Sequence, residues 1–487
     1  MDGLPADNLL DDFPIDRIGL QPLLKIYTQI CHIYAMPDDS ETARAKAMET
    51  LTGGLERLSA AFPWAAGKMV TVRDEAAGTE EMYIRPHEKI PLLVQRDARD
   101  DPAAPTYDAL EQARFPINML DESLIAPIAT FPLPDPNDPS PVDRIFAIQA
   151  TFLRGGLILC FVAHHGAMDM NSQGRLISLL SRACATTATS PFTEEDLAAG
   201  NLRRTEAIDL MDDEEYAALD PDLLAPHLLP APRSLQANDE MVELLTDPSF
   251  PLGKCAWANF DLPLSTLAAL KRQVLTSGAL PADTPFVSTD DILTAFIWSA
   301  ITRTRLPRLR KAGTATAGIA RAVDARRFLP ISPHYLGLLS TMTYATVPLD
   351  ALAGPADGRG LAVVSAALRR ELDPATERVG RRTRALASYM NRVPDRTAVS
   401  LTAGMDLKSG VMLSSWAGVD SYALAFGLGL GLPVSVRRPR FTLVESLIYL
   451  LPRSTDGSVG VAICLLEEDM ERLKADAEWN ELADFVG

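Results

Sequence analysis

The chain has 487 residues, too many for one compact core, so two domains of about 200 residues each are expected. Hydrophobic residues make up 47% and charged residues 23%, the proportions of a globular protein. A net charge of −18 excludes the basic face needed to neutralise phosphates, so no nucleic-acid partner is expected, and it opposes adsorption to anionic membranes.

Met1 to Asp16 carries five Asp and no apolar stretch, which does not fit a secretory signal. The five cysteines (Cys31, Cys160, Cys184, Cys255, Cys464) are scattered, odd in number and without a CxxC pair, so a reducing compartment is expected. No apolar run reaches the roughly 18 residues of a membrane span. A soluble, cytoplasmic protein without a membrane partner is the expectation.

In chain order, the first clear element is a helix. After Asp38-Asp39-Ser40-Glu41, apolar residues recur through Ala45, Met48, Leu51, Leu55, Leu58 and Phe62, with a capping residue at the start and Pro63 at the end. Ile145 to Phe152 alternates as a strand, and Arg154-Gly155-Gly156 is a turn. Leu157 to Ala163 is an unbroken apolar run, as expected of a strand buried on both faces, and it ends on His164-His165. From Ser172, Leu176, Ile177, Leu179, Leu180 and Ala183 form a helical stripe. The histidines therefore lie at a strand-to-helix junction.

Thr186 to Leu252 is rich in Asp, Glu and Pro and reads as a crossover with a short helix or two. Cys255–Phe260 is a strand, Leu264–Leu275 a helix, and a strong helix follows the N-cap region Ser288-Thr289-Asp290. Further strands are expected near 338–347, 410–416, 442–451 and 459–466. The fold class is α/β, divided into 1–195, a crossover at 196–252, and 253–487.

General acid–base chemistry needs a group that takes a proton and a donor that steadies the developing negative charge. Histidine suits the first task, because its pKa of about 6.5 lies near working pH. His165 and Asp169 are four apart, so a helical turn would put them on one face, with Asp169 orienting the imidazole; otherwise Asp169 points away and anchors an Arg. The remaining histidines have no metal-ligand spacing, and no metal is expected. Gly427, Gly429 and Gly431 do not complete a dinucleotide fingerprint, because Leu432 and Val434 stand where a third glycine is needed.

The chain resembles the BAHD-type acyltransferases, and more closely their fungal branch typified by trichothecene 3-O-acetyltransferase. The resemblance runs from about Gln29 to the C-terminus. It is carried by Ala61-Phe62-Pro63-Trp64-Ala65-Ala66-Gly67, Phe115–Glu122, Arg154–Leu157 and Met168-Asp169-Met170. In the second half it is carried by Ser288–Asp291, Arg321–Arg326, Ser414-Ser415-Trp416, Phe426–Pro433 and Arg437-Arg438-Pro439.

The resemblance implies two chloramphenicol-acetyltransferase-like domains with a channel between them. It implies His165 as general base, Asp169 as a catalytic-motif residue braced by Arg326, and no bound cofactor, with acetyl-CoA or another acyl-CoA as co-substrate. It implies a small-molecule alcohol acceptor and a monomer. Ser414 and Ser415 are expected to line the channel, Arg437 and Arg438 to meet CoA phosphates or form inter-domain ion pairs, and Gly427 and Gly429 to shape a structural loop. The signature Asp-Phe-Gly-x-Gly reads Ala425-Phe426-Gly427-Leu428-Gly429 here, and Leu432 stands where the fungal branch often has Lys. These departures keep open a non-acylating relative using the same channel, and the resemblance of His164–Asp169 to the His-His-x-x-x-Asp-Gly motif of condensation domains, with Met170 in place of Gly, keeps open a carrier-protein-dependent condensation enzyme.

Overall fold

The computed structural model describes residues 12–74, 79–132, 143–186, 190–230, 254–355, 357–406 and 408–487. The sequence-based crossover at 196–252 thus falls partly outside the described residues, as does most of the acidic N-terminal stretch. Two large sheets dominate. The first has five strands in the order Ser435–Arg437, Tyr27–Ala35, Gly156–His164, Phe146–Leu153, Leu92–Asp97. The second has seven, in the order Ser340–Pro348, Thr316–Asp324, Val411–Ser415, Leu447–Arg453, Val459–Leu466, Cys255–Leu262, Asp484–Phe485. A three-stranded sheet near the N-terminus completes the architecture.

The apolar run that ends on the histidines is the central strand Gly156–His164, and all nine of its residues are buried. Its side chains alternate between two cores. Leu157, Leu159, Phe161 and Ala163 join the core beneath the helices Glu41–Ala61 and Met170–Cys184. Ile158, Cys160 and Val162 join another with Tyr107, Leu110 and Phe115. Burial on both faces explains why periodicity is absent from this strand.

The helix expected after Ser40 spans Glu41–Ala61, with the Ser40 side chain accepting from Ala43 N–H. The helix expected after Ser288 spans Thr289–Lys311 and starts in a reciprocal capping box between Ser288 and Asp291. That helix, with Leu264–Thr276, Gly358–Arg370 and Glu467–Ala475, covers one face of the seven-stranded sheet. The strand expected at 442–451 begins later, at Leu447, because Ser446 sits at φ 69° and breaks the extended run.

A linear division at 253 does not follow the sheets. Ser435–Arg437 crosses over to pair with Cys31–Ile33, so a segment from the end of the chain completes the N-terminal sheet. The core on that side also contains Tyr335, Leu336, Leu338, Leu386, Trp416 and Phe426. The two halves are held together by interpenetrating segments rather than by flat faces in contact.

Three histidines, His32, His164 and His227, are buried and held down to about 3 by loss of solvation. Their folded pKa lies below the ordinary 6.5, so the unfolded chain binds more protons between those values and stability falls as pH drops from about 6.5 toward 3. Each histidine takes away about 1.4 kcal/mol per pH unit in that window. Urea unfolding at pH 6.5 and pH 5 is expected to show this loss, and His32→Leu is expected to reduce it by about 2 kcal/mol.

Candidate active site

His165 follows the last residue of the central strand, in a turn spanning residues 165–169. The turn is fixed by its backbone: Ala167 N–H and Met168 N–H both donate to the His164 carbonyl, at 3.0 and 3.2 Å, and His165 N–H donates to the Ile26 carbonyl at 2.8 Å. The imidazole Nδ1 lies 3.3 Å from the Met168 carbonyl oxygen. A carbonyl only accepts, so this contact places the proton on Nδ1 and leaves the Nε2 lone pair free. Burial pulls the His165 pKa below its ordinary value, opposed by the Met168 carbonyl and Asp169 and reinforced by Arg438. The ring is therefore a neutral base at working pH.

Asp169 does not share a face with His165. Its backbone is extended, at φ −83° and ψ 175°, and the helix Met170–Cys184 begins only after it. The Asp169 carboxylate caps that helix through Ser172 N–H at 2.9 Å, accepts from Leu339 N–H at 2.7 Å, and pairs with Arg326 Nη1 at 2.9 Å. None of these contacts is with the imidazole. Of the two arrangements left open for Asp169, the structure has the second: the contact to the imidazole comes from the Met168 carbonyl, and Asp169 anchors Arg326. Arg326 is buried and also donates to Asp324, Ser172 Oγ and the Gly337 carbonyl, so it ties the histidine motif to the second half of the chain.

Ser414 and Ser415 alternate along the strand Val411–Ser415 and so face opposite sides of the seven-stranded sheet. Ser415 donates to Asp290 at 2.8 Å on the helix-covered side. Ser414 pairs in register with Tyr449 and accepts from Trp416 Nε1 at 3.0 Å, on the side toward the N-terminal sheet. Of the two, Ser414 is on the side where Trp416 joins the core of the N-terminal half.

Arg437 and Arg438 are both buried, and of the two expected roles Arg437 takes the ion pair. Arg437 donates to the Phe115 carbonyl at 3.2 Å and reaches Asp261 at 3.3 Å, an ion pair within the fold. Arg438 lies 3.7 Å above the Phe441 ring and 4.9 Å from that of Tyr449, and donates to Thr130 Oγ1 at 3.3 Å. Neither guanidinium is presented to solvent.

The glycine loop lies elsewhere. Phe426 (φ 54°) and Gly427 (φ 65°) turn the chain so that Phe426 stacks on Phe161 with centroids 5.4 Å apart. Phe426 N–H donates to Ser181 Oγ, and a Cβ on Gly427 would lie 3.0 Å from Ala185 Cα. The loop thus packs on the C-terminal end of the 15-residue helix Met170–Cys184, about 20 Å from Asp169 at 1.5 Å rise per residue. Gly429, also at positive φ (76°), has open space around it, and Leu432 is 48% exposed. Ala425 thus belongs to a loop that packs on the end of that helix, away from the histidine turn, and Leu432 faces solvent.

Sequence reasoning missed several residues that hold the turn, among them Gly19, which lies against Gly166. A Cβ on Gly19 would come within 2.3 Å of the Gly166 carbonyl oxygen, so only glycine fits. Gly19→Ala is expected to cost about 1–3 kcal/mol and to shift the histidine turn, which thermal melting and turnover measured together will register.

Among the described residues no cluster of His, Cys, Asp and Glu could hold a metal ion, and no helix is long and apolar enough to cross a membrane.

Residues 26–184 match the trichothecene 3-O-acetyltransferase-like N-terminal domain, and residues 129–480 match the transferase family. The chain is 43% identical over 480 residues to the trichothecene 3-O-acetyltransferase TRI101 of Fusarium sporotrichioides, covering 98% of this chain and 97% of that protein. It is 41% identical over 485 residues to a trichothecene 3-O-acetyltransferase of Saccharomyces cerevisiae, with coverage of 98% and 97%. The crystal structure of Fusarium graminearum TRI101 complexed with coenzyme A and T-2 mycotoxin superposes with a TM-score of 0.86 at 38% identity, covering 98% of this chain and all of the other.

Proposed function

The chain belongs to the transferase family, in its trichothecene 3-O-acetyltransferase-like branch, and we propose on that premise that it transfers an acyl group, acetyl foremost, from acyl-CoA to a hydroxyl of a fungal secondary metabolite. The observation that carries the mechanism is the His165 imidazole, with Nδ1 engaged by the Met168 carbonyl and Nε2 free.

The reaction needs no covalent intermediate, because the thioester is already activated. His165 Nε2 takes the hydroxyl proton as the acceptor oxygen attacks the thioester carbonyl. The tetrahedral intermediate then collapses, the C–S bond breaks, and the proton held on Nε2 passes to the departing thiolate to give free CoA. Ser414, on the side of the sheet that faces the N-terminal half, is the hydroxyl available to the thioester or the pantetheine arm. Arg326 and Asp169 keep the histidine turn in register without touching substrate. The two halves act as the two acyltransferase domains, with the chain exchange at 435–437 joining them. All five cysteines are free thiols, which agrees with a cytoplasmic enzyme, and it is proposed to act as a monomer.

The test is calorimetric titration with acetyl-CoA and with free CoA, followed by an acceptor screen. Saturable one-to-one binding is the expected result. Absence of binding to either would overturn the CoA-dependent reading and favour a carrier-protein donor or a non-acylating role.

A further inference from the structure

The turn that carries His165 is gripped from two sides, and only one grip belongs to the Asp169–Arg326 pair. The other comes from Arg204, in the short helical turn Arg204–Glu206 of the crossover. Arg204 is buried, with its guanidinium 4.7 Å from the Trp64 ring and 5.6 Å from that of Phe13. Its Nη1 donates to the Ala167 carbonyl, inside the histidine turn, and lies 3.4 Å from Asp16 Oδ2. Its Nη2 donates to the Leu336 carbonyl at 3.4 Å. Asp16 in turn accepts from Tyr335 Oη and from Leu338 N–H, the latter at 2.8 Å. One guanidinium thus joins the N-terminal segment, the histidine turn and the second half of the chain.

We infer that Arg204 is a positioning residue for the base: by fixing the Ala167 carbonyl it sets the plane of the peptide before Met168, and through it the Met168 carbonyl that holds His165 Nδ1. The residues on either side of Met168 are both anchored, Ala167 by Arg204 and Asp169 by Arg326. The contact they protect is 3.3 Å, at the long end for a hydrogen bond, so a small rotation of the turn breaks it. With that contact gone, the proton is free to sit on Nε2, and a ring in that form has no lone pair where the acceptor hydroxyl arrives. Arg204 touches neither substrate nor the imidazole. It acts entirely through the main chain.

The inference rests on His165 being the base, and the test separates the two. Nitrogen-15 NMR of the full-length protein reads the His165 tautomer directly, with His165→Ala assigning its resonances, and needs no acceptor. In the unaltered protein the Nδ1–H tautomer is expected to dominate. Arg204→Met removes every donor while keeping an apolar stem between the two rings. It is expected to mix the tautomers and to lower kcat by about 10- to 100-fold, the loss that follows a small misplacement, with KM for acetyl-CoA little changed.

A folded Arg204→Met protein with the native tautomer and native kcat overturns the inference. If that variant does not fold, Arg204→Lys carries the test. Its ammonium keeps a charge beside Asp16 but cannot span the Ala167 and Leu336 carbonyls together, so a partial tautomer shift is expected, and an unshifted tautomer overturns the inference. Full turnover in His165→Ala refutes the base assignment instead, whatever Arg204 does to the ring.

Discussion

His165→Ala is expected to lower kcat/KM by about 10²- to 10⁴-fold while leaving the melting temperature close to that of the unaltered protein. The size follows from the geometry. The imidazole is the group with a free, correctly held lone pair at the turn, and the acceptor hydroxyl is far too weak an acid to lose its proton unaided. The silence in stability also follows, because the side chain makes one 3.3 Å contact to a carbonyl and its loss leaves no charge stranded. The pH profile adds an independent reading: burial holds the His165 pKa below the ordinary 6.5, so the acid limb of kcat/KM falls below that pH. A loss of only a few-fold in the variant, or an acid limb above 6.5, would remove His165 from the base role.

Asp169→Ala should behave in the opposite way, with a large loss of stability. Asp169 and Arg326 are both buried, 2.9 Å apart, and breaking a buried pair by deleting one partner costs about 3–5 kcal/mol because the other charge is left without its counterion. The same carboxylate caps the helix Met170–Cys184, worth about 1 kcal/mol more, and satisfies Leu339 N–H. Asp324, 2.8 Å from Arg326, offsets part of the loss, so the net figure belongs near the lower end of that range. Chemical denaturation of the variant will measure it. Wild-type stability with abolished turnover would mean that Asp169 acts on the imidazole directly, against the geometry seen here. Together the two variants separate chemistry from scaffolding within a five-residue turn.

Most of the elements named from the sequence are where they were expected, because their signals are local. Ser40 and Ser288 mark helix starts through side chains that reach only three residues ahead. The run Leu157–Ala163 reads as a doubly buried strand from its own composition. The strand Tyr27–Ala35 escaped notice although it is the neighbour of that run, since Thr28, Gln29 and His32 interrupt its apolar pattern. Two of these polar residues are accommodated by long-range partners, Thr28 Oγ1 by Gln173 and Gln29 by Glu122 and the Ile128 carbonyl, while the His32 ring packs edge-on against Phe161 and Phe426. No sequence window contains both members of such pairs.

Legible from the residues alone were the α/β class, the strand-to-helix junction carrying His165, and, through residues shared with a known family, the partnership of Asp169 with Arg326. The role of each neighbour came from folding. Asp169 turned outward because the helix begins one residue after it, Arg437 and Arg438 were buried by the crossing of strand Ser435–Arg437 into the N-terminal sheet, and the contact that orients the base proved to come from a backbone carbonyl. Backbone carbonyls are the same in every residue, so their service to a side chain leaves no mark in the sequence. It is set by how the turn is held, and the residues that hold it, Gly19, Arg204 and Arg326, come from three distant segments brought together only by folding.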